Sequence, residues 1–358
     1  MGRTTVVVAP AAGEAMNSTA AIVLCMCVVA ACSAPDGTGG GEAMRVEQAA
    51  FVEVGGIDQW VTIRGDDSRS PILILVHGGP GDVQSPFTSA YAPYERAFVL
   101  VQWDQRGAGR TYGKYGDQTP DLTLERVVQD GIELAEYLRS RFDGNEIIVL
   151  GHSWGTAIAT RMVLARPELF GAYVGTGQIA SWAESVQWQF DFLKRQARDA
   201  GDVEWLAELE AIGRPDPMNA DQYFAFTRPL RQQLSDSDAA WLMGIVDRTR
   251  NPPLLDEAHL ETIGNGMRLS GAALLATQMQ ERLSTTALRF ALPYYVIQGR
   301  LDVFTPTAPA EAYFEKVVAP DKEMVVIESA GHFALVTHAT GFVSALEKVL
   351  ESRAAHVR

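Results

Sequence analysis

Cysteine is scarce in this chain of 358 residues: Cys25, Cys27 and Cys32 are all there are, and all precede residue 33. If a leader is cleaved before Cys32, that residue alone remains, and no intramolecular disulfide can form even in an oxidising compartment. Basic residues are also in deficit, 30 Lys and Arg against 44 Asp and Glu, which leaves a net charge of −14. That balance argues against a nucleic-acid surface, which needs clustered Lys and Arg, and fits a soluble acidic protein. No H-E-x-x-H or similar ligand spacing occurs, no G-x-G-x-x-G follows the first buried strand, and "RGAGRT" lacks the Walker lysine. Neither a metal nor a cofactor is therefore implied. Internal repeats and long low-complexity segments are missing too. What the chain has in quantity is apolar residues, 47% of the total, enough for a large core in one elaborated domain or a domain with an insertion.

One apolar run stands apart. Residues 18–31, "STAAIVLCMCVVAA", are too few for a comfortable membrane span and lead into Cys32 and then "SAPDGTGGGEA". Val29-Ala30-Ala31-Cys32 resembles the lipobox of bacterial lipoproteins, in which cleavage precedes a cysteine that becomes lipid-modified. The expectation is a lipoprotein-type signal peptide over 1–32, lipidation at Cys32, and a flexible linker over 33–48. The mature protein would be exported and anchored to a bacterial membrane on its periplasmic or cell-surface face. Arg3 is the only basic residue ahead of the run and Glu14 sits where charge should be positive, both of which count against a signal peptide, and Met16 is an alternative start. An uncleaved N-terminal anchor is the alternative.

From residue 49 the pattern becomes β-like, with "AAFVEVGG" and "DQWVTIRG" as a hairpin and "PILILVHGG" and "AFVLVQWDQRG" as buried strands. Leu124, Val127, Val128, Ile132, Leu134 and Leu138 then recur at helical spacing before the strand "NEIIVLG". Strand, helix, strand implies a parallel sheet. "SWGTAIATRMVLARPELF" reads as the next helix and "GAYVGTG" as another strand. From 181 to 287 helical periodicity prevails, which predicts an inserted helical cap between a first core segment, 49–180, and a second, 288–358. The second holds the strands "LPYYVIQGRLD" and "KEMVVIESAGH" and a closing helix.

"GHSWGT" at 151–156 supplies G-x-S-x-G, whose glycines permit the strained strand-to-helix turn that lifts a serine hydroxyl above the sheet. So short a motif recurs by chance, and context decides. "QGRLDVFTP" puts Asp302 just after one strand and "SAGHFALV" puts His332 just after another. The order Ser153, Asp302, His332 is that of α/β-hydrolases, and ligands bind beyond the carboxyl ends of such strands. In this arrangement His332 takes the Ser153 proton, Asp302 orients the imidazole, and two backbone N–H groups receive the oxyanion, each donor lowering the barrier by about 3 kcal/mol. Trp154 and Gly79, in "HGGPG", are the expected donors. His152 reads as a packing neighbour and His77 as a brace of the oxyanion turn. His259, His338 and His356 have no strand-end position, and Asp321 precedes a strand.

With those residues in place, the chain resembles the α/β-hydrolase superfamily, and within it the proline iminopeptidase group of serine aminopeptidases, from about 49 to 352. The matches are "HGGPG" at 77–81, "DQRGAGRT" at 104–111, "GHSWGT" at 151–156, "GRLD" at 299–302 and "GH" at 331–332. The resemblance implies an α/β-hydrolase fold, a mostly parallel sheet flanked by helices with an inserted cap. It also implies Asp104 and Arg106 as a charged brace below the site. The expected activity is release of an N-terminal residue from short peptides through an acyl-enzyme. The group's peptidases hold the substrate's free amino terminus with cap carboxylates, usually in a W-x-x-W-E-like stretch, and this chain lacks that stretch. Of its cap glutamates, Glu204 and Glu208 are the first candidates for substrate binding. An ester hydrolase or lactonase with the same triad is the alternative, and a non-catalytic binding lipoprotein a remote one. A small molecule or short peptide is the expected partner in each case.

Overall fold

The computed structural model describes residues 44–356 apart from 215, 217, 220–228 and 249–256. Cys25, Cys27, Cys32 and the predicted signal segment, most of the predicted linker, and the cap aromatics Tyr223, Phe224 and Phe226 lie outside the described residues.

Eight strands form one sheet: β1 (Val46–Val54), β2 (Ile57–Gly65), β3 (Ile72–Val76), β4 (Val99–Asp104), β5 (Ile147–His152), β6 (Ala172–Thr176), β7 (Tyr294–Gly299) and β8 (Lys322–Ile327). Their order is β1-β2-β4-β3-β5-β6-β7-β8. β2 runs antiparallel to β1 and β4, and every other pairing is parallel. The interior strands β3 to β7 are buried on both faces, which is why they read as continuous apolar runs, whereas the edge strand β1 alternates exposed and covered residues. The β1–β2 turn is Gly55-Gly56, both at positive φ, 61° and 73°, the backbone a tight two-residue hairpin loop demands.

In chain order the helices are α1 (Ala92–Ala97), α2 (Gly109–Tyr115), α3 (Leu124–Arg141), α4 (Trp154–Ala165), α5 (Trp182–Asp199), α6 (Val203–Ile212), α7 (Asp236–Arg248), α8 (Glu257–Met279), α9 (Leu283–Thr286), α10 (Thr307–Lys316), α11 (Ala334–Thr337) and α12 (Ala339–His356). α3 and α4 pack one sheet face, with Val127, Ile132, Leu134, Leu138, Ile158 and Met162 in one apolar cluster; α1 and α12 pack the other through Tyr94, Phe342 and Leu346. Each fully buried aliphatic side chain contributes about 2 kcal/mol. The Thr123 hydroxyl caps α3 by accepting the Arg126 N–H at 3.2 Å.

Between β6 and β7 the described residues form no strand, and α5 to α9 lie there with a core of their own, in which Val186, Phe190, Leu193, Leu209 and Met279 are buried. Trp188 and Phe192 stack at 4.9 Å, and Phe192 packs on this core. Of the cap aromatics described, Trp182 is the one that lines the cavity below.

Candidate active site

β5 ends at His152 and α4 begins at Trp154, so Ser153 alone makes the turn between them, at φ 53° and ψ −123°. A side chain at such a backbone angle is strained by about 1–3 kcal/mol, and the neighbours hold it there. The Ser153 N–H donates to the Thr176 carbonyl at 3.0 Å, and its carbonyl accepts from the Thr156 N–H at 2.9 Å. The flanking glycines answer to close approach. A Cβ on Gly155 would collide with the Val76 carbonyl oxygen, and one on Gly151 would lie 2.7 Å from Thr156 Cα.

His332 follows β8, and its Nδ1 donates to Asp302 Oδ2 at 2.9 Å. Asp302, 2% exposed, is saturated with donors. Oδ1 accepts the Phe304 and Thr305 N–H groups, both at 2.9 Å, and Oδ2 accepts the Thr305 hydroxyl at 2.7 Å and Gln298 Nε2 at 3.3 Å. Burial by itself would lower the His332 imidazole. The charge and hydrogen bond of Asp302, reinforced by Asp238 and Asp82, outweigh burial and hold it above its ordinary value. The Asp302 contact also fixes the tautomer, proton on Nδ1 and lone pair on Nε2, that a general base requires.

Two further histidines are neutral struts. His152 Nε2 donates to the His332 carbonyl at 3.1 Å, and burial, helped by the charge of His332, depresses its imidazole to about 3. His77 Nδ1 donates to the Gly78 carbonyl at 2.9 Å while Nε2 accepts the Gln105 N–H at 3.2 Å, and burial lowers it to about 4. His77 thus ties the turn after β3 to the segment after β4. Gly79, in that turn, has φ 112° and lines the same cavity as Ser153. Trp154 opens α4, where helical geometry leaves its N–H without an intrahelical acceptor. The turn that holds Gly79 passes close to the serine, since a Cβ on Gly78 would lie 3.0 Å from Ser153 Cβ.

The cavity above Ser153 and His332 has a volume of about 790 Å³ and apolar walls that include Ile179, Trp182, Val186, Leu275 and Phe304. Glu204 and Glu208 do not reach it. They stand one turn apart on the solvent face of α6, whose opposite side buries Leu209 in the cap core. The expected brace between Asp104 and Arg106 is also corrected. Arg106 pairs with Asp130, at 2.9 and 3.1 Å, and donates to the Pro120 and Gly55 carbonyls. Asp104 instead accepts the Arg110 N–H at 2.9 Å at the start of α2, and burial raises it to about 6.

A sequence profile of the serine aminopeptidase S33 family matches residues 67–336, from ahead of β3 to the helix after His332. The chain belongs to this family. It is a hydrolase of the α/β-hydrolase superfamily. Among its relatives, the Bacillus subtilis (strain 168) protein named "Probable aminopeptidase YbaC" is 25% identical over 311 residues, covering 83% of this chain and 94% of that protein. A proline iminopeptidase of Lactobacillus helveticus (strain DPC 4571) is 22% identical over 305 residues, 83% of this chain and 95% of its own length. The crystal structure of a proline iminopeptidase-related protein from Thermus thermophilus matches with a TM-score of 0.57 at 21% identity, over 86% of this chain and 98% of that one.

Two carboxylates of this S33 chain escape sequence reasoning. Asp82, directly after "HGGPG", is half-buried and lines the cavity with Ser153 and His332, and burial raises it to about 6. Its only side-chain hydrogen bond among the described residues is a long one, 3.5 Å, from Gln84 Nε2. Asp238, at the start of α7, is fully buried against the His332 loop. Position directly after an oxyanion turn was the available signal for Asp82; for Asp238 it was only an acid in a helix's first turn, which ordinarily signifies capping.

Proposed function

We propose that this S33-family hydrolase releases an N-terminal residue from short peptides through an acyl-enzyme on Ser153, with Asp82 receiving the substrate's free ammonium. The charge layout of the cavity carries the reading. Among the described residues lining it, Asp82 bears the one carboxylate, and no ion pair occupies it. An ammonium stripped of water without a paired carboxylate costs several kcal/mol, and Asp82 supplies that pair close to the serine. Arg231 and Arg268 line the same cavity, are exposed, and make no ion pair among the described residues, which suits the far carboxylate of a substrate only a few residues long.

In the proposed chemistry His332 Nε2 accepts the Ser153 proton as Oγ attacks the carbonyl carbon, and Asp302 stabilises the imidazolium. The oxyanion accepts the Gly79 and Trp154 N–H groups. Collapse breaks the C–N bond, His332 returns the proton to the leaving amine, and water repeats the sequence on the ester to free Ser153. Export and lipidation at Cys32 are supported by the sequence of the N-terminal segment.

The test sets prolyl and alanyl arylamides beside short-chain aryl esters. Peptidase action predicts arylamide turnover that Ser153→Ala and His332→Ala each remove. Asp82→Asn should raise KM for free-amine substrates about 10-fold or more while sparing N-blocked esters. The apolar walls favour a second reading, an esterase for apolar acyl groups. Ester turnover without arylamide turnover, together with indifference to Asp82→Asn, selects it.

A further inference from the structure

The Ser235 hydroxyl accepts the Asp238 N–H at 3.2 Å and the Ser235 carbonyl accepts the Ala239 N–H at 2.9 Å, which makes Ser235 the N-cap of α7 and Asp238 its third helical residue. An acid at that position ordinarily folds back to the cap's own N–H. Asp238 is turned outward instead. Its Oδ2 accepts the His332 N–H at 2.6 Å and its Oδ1 accepts the Phe333 N–H at 3.1 Å, across 94 and 95 residues of sequence. The side chain is 0% exposed, so a carboxylate has been taken out of water to serve two backbone donors. Gly331 makes room for it, since a Cβ there would collide with Asp238 Oδ2 and lie 2.8 Å from the Ser235 hydroxyl. His332 is thereby gripped three ways: its ring by Asp302, its carbonyl by His152, and its N–H by a residue of the cap.

We infer that Asp238 is a positioning residue that makes the aim of the His332 imidazole depend on the seating of α7, so that the cap governs the base as well as the substrate. The inference rests on His332 serving as the base. Two of the three grips come from the hydrolase core and hold whatever the cap does. The third comes from an element inserted between β6 and β7, and it acts on the backbone of the histidine itself. A shift of α7 therefore rotates or translates the imidazole relative to Ser153, and displacements near 1 Å between reacting groups cost about 100-fold in rate.

Asp238→Asn keeps the size of the side chain but turns an amide N–H₂ toward one of the two backbone donors. The expected result is a kcat lower by about 10- to 100-fold on arylamides and esters alike, with KM little changed, because the defect lies in the base and not in the pocket. The low-field proton resonance of the His332–Asp302 hydrogen bond should broaden or shift, which a merely structural role for Asp238 would not produce. Gly331→Ala, which leaves every charge in place and pushes the carboxylate away, should lower kcat in the same manner and serves if Asp238→Asn fails to fold. A normal kcat in folded Asp238→Asn, or in Gly331→Ala, overturns the inference while His332→Ala still abolishes turnover. Turnover surviving in His332→Ala would overturn the assignment of the base, and this inference with it.

Discussion

Asp82 occupies a place that disfavours its charge, and the consequence can be measured without any substrate. Burial raises its carboxyl from 3.8 to about 6 in the folded protein. The folded state then binds the proton more tightly than the unfolded chain, so ionisation of Asp82 subtracts stability, beginning near pH 4 and completely above pH 6. Two pKa units correspond to nearly 3 kcal/mol, and because one side of Asp82 opens on the cavity, about 2 kcal/mol is the expected size. Asp82→Asn should accordingly stabilise the protein by about that amount at pH 8 in urea unfolding, with the gain fading as pH falls from 6 to 4. A pH-independent difference would mean that the carboxyl is not held out of water. The same residue marks the limit of what sequence discloses at this level. Ser153, Asp302 and His332 each follow a strand legible as an apolar run, so chain position alone put them at one edge of the sheet. Asp82 is one more polar loop residue until the fold turns it into the cavity.

Arg106 does for the secondary elements what Asp302 does for His332. Its guanidinium, 2% exposed, reaches Asp130 on α3, the Gly55 carbonyl in the β1–β2 turn, and the Pro120 carbonyl ahead of α3, locking the edge hairpin to the helix that covers the sheet. Arg106→Ala leaves Asp130, itself 0% exposed, with Arg126 as its one side-chain partner among the described residues, and should cost about 3–5 kcal/mol in urea unfolding. Arg106→Lys should recover little, because a single ammonium cannot span acceptors set around a planar fork. A loss below about 1 kcal/mol in Arg106→Ala would show that the hairpin docks by its apolar face alone. Strands and α3 were readable because one periodicity with one buried face admits one placement. Arg106 was readable only as a charge near Asp104, since its true partner lies 24 residues away and no local pattern joins them. The cap was harder still. α6 carries apolar residues all round, with Val203 and Ile212 exposed at 75% and 56%, so its pattern does not say which face looks toward the cavity and does not locate Glu204 and Glu208 on it.

The proposed membrane attachment through Cys32 is a property of the whole molecule and is tested at that scale. No helix among the described residues is long and apolar enough to cross a bilayer. A net charge of −14 gives no general attraction to anionic lipid, and what repulsion there is falls off within about 8 Å at physiological salt. The described residues also hold Ser153, Asp302, His332 and the cavity walls, so catalysis and attachment should be separable. A chain lacking residues 1–43 is expected to keep the kcat, KM and melting temperature of the full protein on soluble arylamides. Cys32→Ser, expressed in a bacterial host, should move from the membrane pellet to the soluble fraction at both low and physiological salt, because a lost lipid leaves no electrostatic contact to take its place. Mass spectrometry of the wild type should then find a mature chain beginning at Cys32 with acyl mass added. If Cys32→Ser stays in the pellet with an unchanged mature mass, residues 18–31 act as an uncleaved anchor, and the lipobox reading fails while the hydrolase assignment is untouched.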